Sequence, residues 1–407
     1  MTTGVDADAV VDGLVEAGYE AVRDAFAANF ARGREVGAGF CVHVDGRKVV
    51  DIVGGSFDVG GTTPYGADTL QVVFSSTKGA TAACANLLAQ RGELDMDAPV
   101  TTYWPEFAQA GKDDMPVRYL LSHQAGLPAV DARLSAEEIR AWDPIAEALA
   151  AQAPFWEPGT AHGYHAVSYG YLVGEVVRRI TGRSLGTFFR DEIAGPLGID
   201  FYIGLPGDLE HRVSPIVAQP IGAAGAAAAA TTQSPTPYGK TLQARSLNLG
   251  GGIRDPLWMN KPEWHAAEMP AGNGITNAAG LSRLYAGLIG TVEGGPADPV
   301  LTPDQVERAR TPLTSGRDQV FASVGMPLEQ KIGLGFWRCS PVTRFGGTGS
   351  FGHAGAGGSY GFADPEHRLA VGNAMNKMAT ELIDPRPHDL LQAVYASIGA
   401  QADAKYC

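Results

Sequence analysis

Two runs near the start of the chain set its folding pattern. Phe40-Cys41-Val42-His43-Val44 and Lys48-Val49-Val50-Asp51-Ile52-Val53 flank the dipeptide Asp45-Gly46. β-Branched and aromatic residues suit a pleated, half-buried surface, and Asp-Gly supplies the positive backbone angles of a tight turn, so a β-hairpin is predicted. Before it, Val10, Leu14, Val15, Ala21, Val22 and Phe26 recur near the helical period and predict a helix over Ala9 to Ala31. Ser75 to Arg91 reads as a helix with Leu87 and Leu88 on one side, stopped at Gly92. Tyr169 to Thr181 is another, ended by Gly182, and Val117 to Leu121 and Ile275 to Ile289 are further amphipathic stretches. Gly333 to Arg338, Ser359 to Phe362 and Leu369 to Ala374 are short strand-like runs, followed by a closing helix over Leu390 to Ile398.

Strands thus gather at both ends of the chain and helices between them. The economical architecture is α/β (α+β), a mixed or antiparallel sheet flanked by helices, with an inserted, mostly helical lobe. A single catalytic unit over residues 1–407 is expected, with residues 1–74 and 320–407 forming the sheet lobe and 75–319 the helical one. Ile221 to Tyr238 is rich in Ala, Gly and Pro and reads as a flexible surface loop or lid; motifs on either side of it must meet, which excludes a domain linker.

Composition narrows the function classes. The 407 residues are 45% hydrophobic and 18% charged, as in a globular protein, and the net charge of −13 leaves no basic face for a phosphate backbone, so no nucleic-acid partner is expected. No apolar run is long enough to span a bilayer, and the segment Met1 to Val11 carries Asp6 and Asp8 where a leader would be basic and then apolar. Cys41, Cys84, Cys339 and Cys407 lack metal-ligand spacing; they read as small buried hydrophobes and, for Cys407, a free terminal thiol. The expectation is a cytoplasmic protein with no cofactor and no metal. Its oligomeric state is left open.

The candidate chemistry begins at Phe74-Ser75-Ser76-Thr77-Lys78-Gly79. In a helix, positions i and i+3 share a face, so the Lys78 amine can reach the Ser75 hydroxyl. A serine hydroxyl is a poor nucleophile until a neighbouring base takes its proton, and lysine is such a base once burial has lowered its pKa. With 17 Ser and 8 Lys in the chain, such a pair arises by chance roughly a third of the time, so it requires company. Gly163-Tyr164-His165-Ala166 supplies a phenol that can shuttle a proton between lysine and leaving group. His353-Ala354-Gly355-Ala356 precedes Gly357-Gly358, a small edge against which a carbonyl could approach backbone N–H groups; those of Ser75 and Ala356 would form an oxyanion hole.

These three elements stand in the order and approximate spacing of the β-lactamase-like serine hydrolases, and the chain resembles class C β-lactamases, D-alanyl-D-alanine peptidases and, above all, family VIII carboxylesterases. Leu120-Leu121-Ser122-His123-Gln124-Ala125-Gly126-Leu127-Pro128 and Pro270-Ala271-Gly272-Asn273-Gly274-Ile275 are similar to further family segments, and the likeness runs from about Ala9 to the end. The resemblance implies Ser75 as nucleophile, Lys78 and Tyr164 as the proton-handling pair, and His353, Ala354, Gly355, Trp337 and His165 as substrate contacts; Trp337 reads equally well as core, and His123 as structural. Two departures bear on substrate. Tyr164-His165-Ala166 stands where β-lactamases have Tyr-x-Asn, and His353-Ala354-Gly355 where they have Lys-Thr-Gly, which removes an amide and weakens a positive charge.

The expected activity is therefore hydrolysis of neutral carboxylic esters, with a small-molecule ester or acyl compound as partner. The alternative is acyl transfer to an alcohol or amine; β-lactamase or D-amino-peptidase activity, and a non-catalytic binder on this fold, rank lower. Gly357-Gly358-Ser359-Tyr360-Gly361 also spells the nucleophile elbow of α/β-hydrolases, but no helix is predicted to follow it, so Ser359 reads as a decoy. Ser246-Leu247-Asn248, a Ser-x-Asn triplet, reads as coincidence, misplaced relative to Tyr164.

Overall fold

The computed structural model describes residues 11–217, 241–255, 257–326, 328–340, 343–379 and 384–402. The segment Ile221 to Tyr238 and Cys407 lie outside the described residues.

The hairpin forms as its sequence dictates. Strands β2 (Gly37–Val44) and β3 (Arg47–Gly55) pair antiparallel. Both turn residues, Asp45 at φ 53° and Gly46 at φ 74°, take the left-handed conformation that matches the strands' twist. The helix expected over Ala9 to Ala31 divides: Val11–Val15 is an edge strand, β1, paired with β3, and the helix α1 spans only Glu20–Ala31. Gly13 at φ 120° and Gly18 at φ 94° break any helix there, and the apolar spacing at Val11 and Val15 serves a strand just as well.

The chain then leaves the sheet. Strand β4 (Gln71–Val72) joins β5 (Phe201–Tyr202) and β6 (Ile275–Thr276) in a small antiparallel sheet, order β4-β6-β5. Helix α2 (Thr77–Gln90) follows β4 and is buried at every position from Thr77 to Leu88; its alanines and Gly79 allow close approach on all sides. Helix α3 (Ser168–Thr181) packs on α2 and ends at left-handed Gly182, as predicted. Helix α4 (Ala278–Ile289) starts at Asn277, whose side chain accepts the Gly280 N–H at 2.8 Å.

Strands β7 (Trp337–Arg338), β8 (Phe351–Ala354), β9 (Tyr360–Asp364) and β10 (Leu369–Met375) bring the chain back. The seven-stranded order is β1-β3-β2-β10-β9-β8-β7, and every pairing is antiparallel. The two ends of the chain are stitched together where β2 meets β10. Strand β10 is buried at every position and β2 at all but its last, so both faces of the sheet are covered. Helix α4 lies across β2, β9 and β10, so this segment of the expected helical lobe belongs to the sheet layer instead. The closing helix α5 (Arg386–Ser397) packs against α1 and begins four residues before the expected Leu390.

Two sequence expectations need correction or limit. Cys41 and Cys84 are buried free thiols, but Cys339 is in a disulfide and is no simple packing residue. No helix among the described residues is long and apolar enough to cross a membrane.

The sheet and α4 touch at glycine. Gly372 of β10 lies under α4 so closely that a Cβ would collide with the Ala278 carbonyl oxygen, a backbone atom that cannot turn aside. Gly372→Ala is expected to lower stability by about 1–3 kcal/mol, read as a lower denaturant midpoint at unchanged slope. An unchanged midpoint would show that this contact is slack.

Candidate active site

Strand β4 delivers the chain to the site through one strained residue. Phe74 takes φ 47°, rare for a bulky side chain, and the single turn Phe74–Ser76 then runs directly into α2. The conformation is held from below: the Thr77 hydroxyl donates to the Phe74 carbonyl at 2.5 Å and accepts the Gly274 N–H at 2.8 Å. Ser75 is thereby raised at the head of α2, on the wall of a cavity of about 1070 Å³.

Lys78 follows one turn later and is fully buried. Its Nζ lies 2.7 Å from the Ala166 carbonyl oxygen, 2.8 Å from that of Ala271 and 3.1 Å from Ser75 Oγ. No carboxylate among the described residues pairs with it. Burial pushes the amine well below its ordinary range, because two backbone carbonyls do not make up for taking an ammonium out of water. A neutral amine has two N–H groups and one lone pair. The two carbonyls accept both N–H groups, and the lone pair is left for the Ser75 hydroxyl.

Tyr164 completes the triad of contacts, its phenol donating to Ser75 Oγ at 2.7 Å. Burial raises the phenol above its usual value, so it stays protonated. The Tyr164 loop is fixed by Ser246, whose hydroxyl donates to the Tyr164 carbonyl at 3.0 Å and accepts the Ala166 N–H at 2.9 Å. Ser246 is thus adjacent to Tyr164 in space, against the expectation of coincidence; distance along the chain concealed it. Phe321 stacks on the Tyr164 ring at 5.8 Å from a short helix, Gln319–Ala322, capped by Asp318. Nothing in the pattern of the sequence marked Phe321.

Three histidines surround this centre, and all are buried. His165 Nε2 accepts the Leu127 N–H at 2.9 Å, so Nδ1 carries the proton and donates to the Gly163 carbonyl at 2.5 Å. Its pKa is pushed down to about 3 by burial. His123, at φ 61°, accepts the His165 N–H on Nδ1 at 3.1 Å and packs between the Tyr164 and Tyr169 rings. His353 stacks on Trp337 with ring centres 4.1 Å apart, and Nδ1 donates to the Ala354 carbonyl at 2.8 Å. Burial holds both far below the usual imidazole value. His165 and His353, expected as substrate contacts, therefore stand behind the cavity wall as neutral packing groups. Trp337, Ala354, Gly355 and Ala356 line the cavity itself.

The third motif is bound to the first. Ser359 is buried, its hydroxyl donating to the Val73 carbonyl at 2.7 Å and lying 3.3 Å from Ser76 Oγ. The apparent nucleophile elbow is thus a strut between the Ser75 turn and the glycine-rich edge. The Gly355 N–H is committed to the Ser359 carbonyl at 2.7 Å, and the next residue, Ala356, lines the cavity. Phe74, Trp258, Met269, Phe321 and Trp337 give the rest of the wall a largely apolar character.

Known proteins resemble this chain over nearly its whole length. The model of the family described as Beta-lactamase matches residues 15–395. Esterase/beta-lactamase LipL of Mycobacterium tuberculosis is 33% identical over 384 residues, 93% of this chain and 86% of that protein. A crystal structure of a family VIII carboxylesterase superposes with a TM-score of 0.84 at 36% identity, covering 95% of this chain and 99% of its own. A penicillin-binding protein homolog from Caulobacter crescentus does so with a TM-score of 0.82 at 37% identity, with the same coverage. The chain belongs to the Beta-lactamase family and has its fold, on the branch of the serine hydrolases.

Proposed function

We propose that the protein is a serine carboxylesterase that cleaves neutral carboxylic esters through an acyl-enzyme on Ser75. The observation that carries this reading is the buried Lys78 amine, held by two backbone carbonyls with no carboxylate partner among the described residues, its Nζ 3.1 Å from Ser75 Oγ. The esterase and carboxylesterase names of its relatives support the same substrate class. So does the third motif, where the buried, uncharged His353 offers no cation to a substrate carboxylate.

In the proposed sequence, Ser75 Oγ bonds to the ester carbonyl carbon as its proton passes to Lys78 Nζ. The carbonyl oxygen becomes an oxyanion held by the N–H groups of Ser75 and Ala356. Collapse breaks the bond to the alcohol oxygen, which takes the Tyr164 phenolic proton, and Tyr164 is reprotonated from the Lys78 ammonium. Water then repeats the attack on the acyl-enzyme, giving up its proton to the same pair and releasing the acid. The opposite pKa shifts divide the labour: Lys78 is the base, and Tyr164 is the relay that never needs to ionise at rest.

The same acyl-enzyme could pass to an alcohol, so product analysis with a competing alcohol belongs with the assay; free acid is the expected product, and ester exchange as the main outcome would favour the transferase reading. The cytoplasmic location stays part of the proposal, with the Cys339 disulfide set against it, since such bonds persist in oxidising compartments.

Two predictions follow from the triad. Ser75→Ala should abolish turnover and labelling by an organophosphonate ester, and Tyr164→Phe should lower kcat by about 10²–10⁴-fold, whereas Ser359→Ala should still label and keep turnover within about tenfold, because the hydroxyl it loses serves only a strut. Labelling that survives Ser75→Ala but not Ser359→Ala would reverse the assignment.

The active form requires neutral Lys78, whose pKa in the fold is lowered, so kcat/KM should fall as pH drops through that value and rise to a plateau above it. Tyr164, with its pKa raised, should cause no alkaline fall near the ordinary phenol value of about 10. A rate that climbs only at about pH 10, where an unperturbed lysine titrates, would contradict the reading.

A further inference from the structure

Arg386 opens helix α5, where the positive end of the helix dipole disfavours a cation, and it is only 4% exposed. A buried cation in such a place needs partners, and it has them on four segments. Nε donates to both Asp384 carboxylate oxygens at 2.9 Å, and Nη2 donates to Oδ2 at 2.6 Å. Nη1 donates to Glu35 Oε2 at 2.9 Å and to the Lys377 carbonyl at 2.8 Å. Nη2 also donates to the carbonyl of Gly357, the residue after Ala356.

We infer that Arg386 is a positioning residue for the oxyanion hole, clamping the Gly355–Gly358 turn so that the Ala356 N–H faces the cavity. The inference rests on the proposed role of Ala356 above. The turn has little rigidity of its own: Gly357 at φ 82° and Gly358 at φ 122° occupy conformations that glycine leaves as freely as it enters. Its shape is imposed from outside. The Gly355 N–H is held on one side of Ala356 by the Ser359 carbonyl. The Gly357 carbonyl is held on the other by Arg386 and by the Ala379 N–H at 2.9 Å. Asn373 pins the Gly358 carbonyl at 2.9 Å. The fit is close, since a Cβ on Gly358 would collide with the Arg386 guanidinium. Asp384 and Glu35 orient its planar fork, a task the point charge of a lysine cannot perform.

An oxyanion donor acts on the transition state and hardly on the bound ester, so loosening it should lower kcat and spare KM. R386K should reduce kcat per phosphonate-titrated active site about tenfold, with KM within about twofold. A356P removes the N–H outright, at the first position of a helical turn where proline fits, and should lower kcat about 10²–10³-fold. In the A356P background, R386K should then cause no further loss, because the group it positions is gone. Unchanged kcat per site in R386K, or losses that multiply in the double variant, would overturn the clamp. Wild-type kcat in A356P would instead overturn the oxyanion assignment on which the clamp rests. If R386K fails to fold, D384N, which keeps the arginine and frees its fork, enters the same cycle with the same two outcomes.

Discussion

When neutral, the Lys78 amine has two N–H groups to give, and the carbonyls of Ala166 and Ala271 receive both. That pair of contacts governs what the surrounding fold must supply. The carbonyls come from two distant segments, the Tyr164 loop and the stretch leading to β6, so both must be brought against α2 and kept there. A carboxylate in their place would have made an ion pair and held the lysine charged. Backbone oxygens satisfy the amine without favouring the ammonium as strongly, and sealing the group from water does the rest. The small residues of α2 meet this demand by letting the neighbouring segments close on the helix from every side.

Short polar struts support the direct contacts between the three motifs. Ser246 fixes the Tyr164 loop, Thr77 fixes the strained Phe74 and the Gly274 segment, and Ser359 ties the Ser75 turn to the glycine-rich edge. The buried histidines add bulk and hydrogen bonds without charge, which keeps the field around Lys78 free of a compensating anion and of a full competing cation.

Much of the fold could be read from the chain where local physics decides. Asp45-Gly46 demanded its turn, Gly92 and Gly182 ended their helices, and the strand-like runs at both ends found each other across β2 and β10. Reading failed where a short apolar pattern suits two structures, as at Leu14 and Val15, counted toward a helix but placed in the edge strand. Within the site, the Ser75–Lys78 pair was suggested by its spacing, and Tyr164 only by the order of the motifs that the family resemblance supplied. Ser246, Phe321 and Arg386 were not, since each acts through contacts far away in sequence and carries no local pattern. His165 and His353 misled for a related reason: a residue type next to a motif does not reveal which way its ring turns.

The account depends on Lys78 being an amine and not an ammonium in the resting protein. Selective 13C labelling of lysine Cε, with the Lys78 resonance assigned by its loss in Lys78→Met, allows its charge to be titrated directly by NMR. A Lys78 that loses its proton well below the ordinary lysine range is the expected result. A resonance that stays that of an ammonium up to about pH 10, like an exposed lysine, would contradict it.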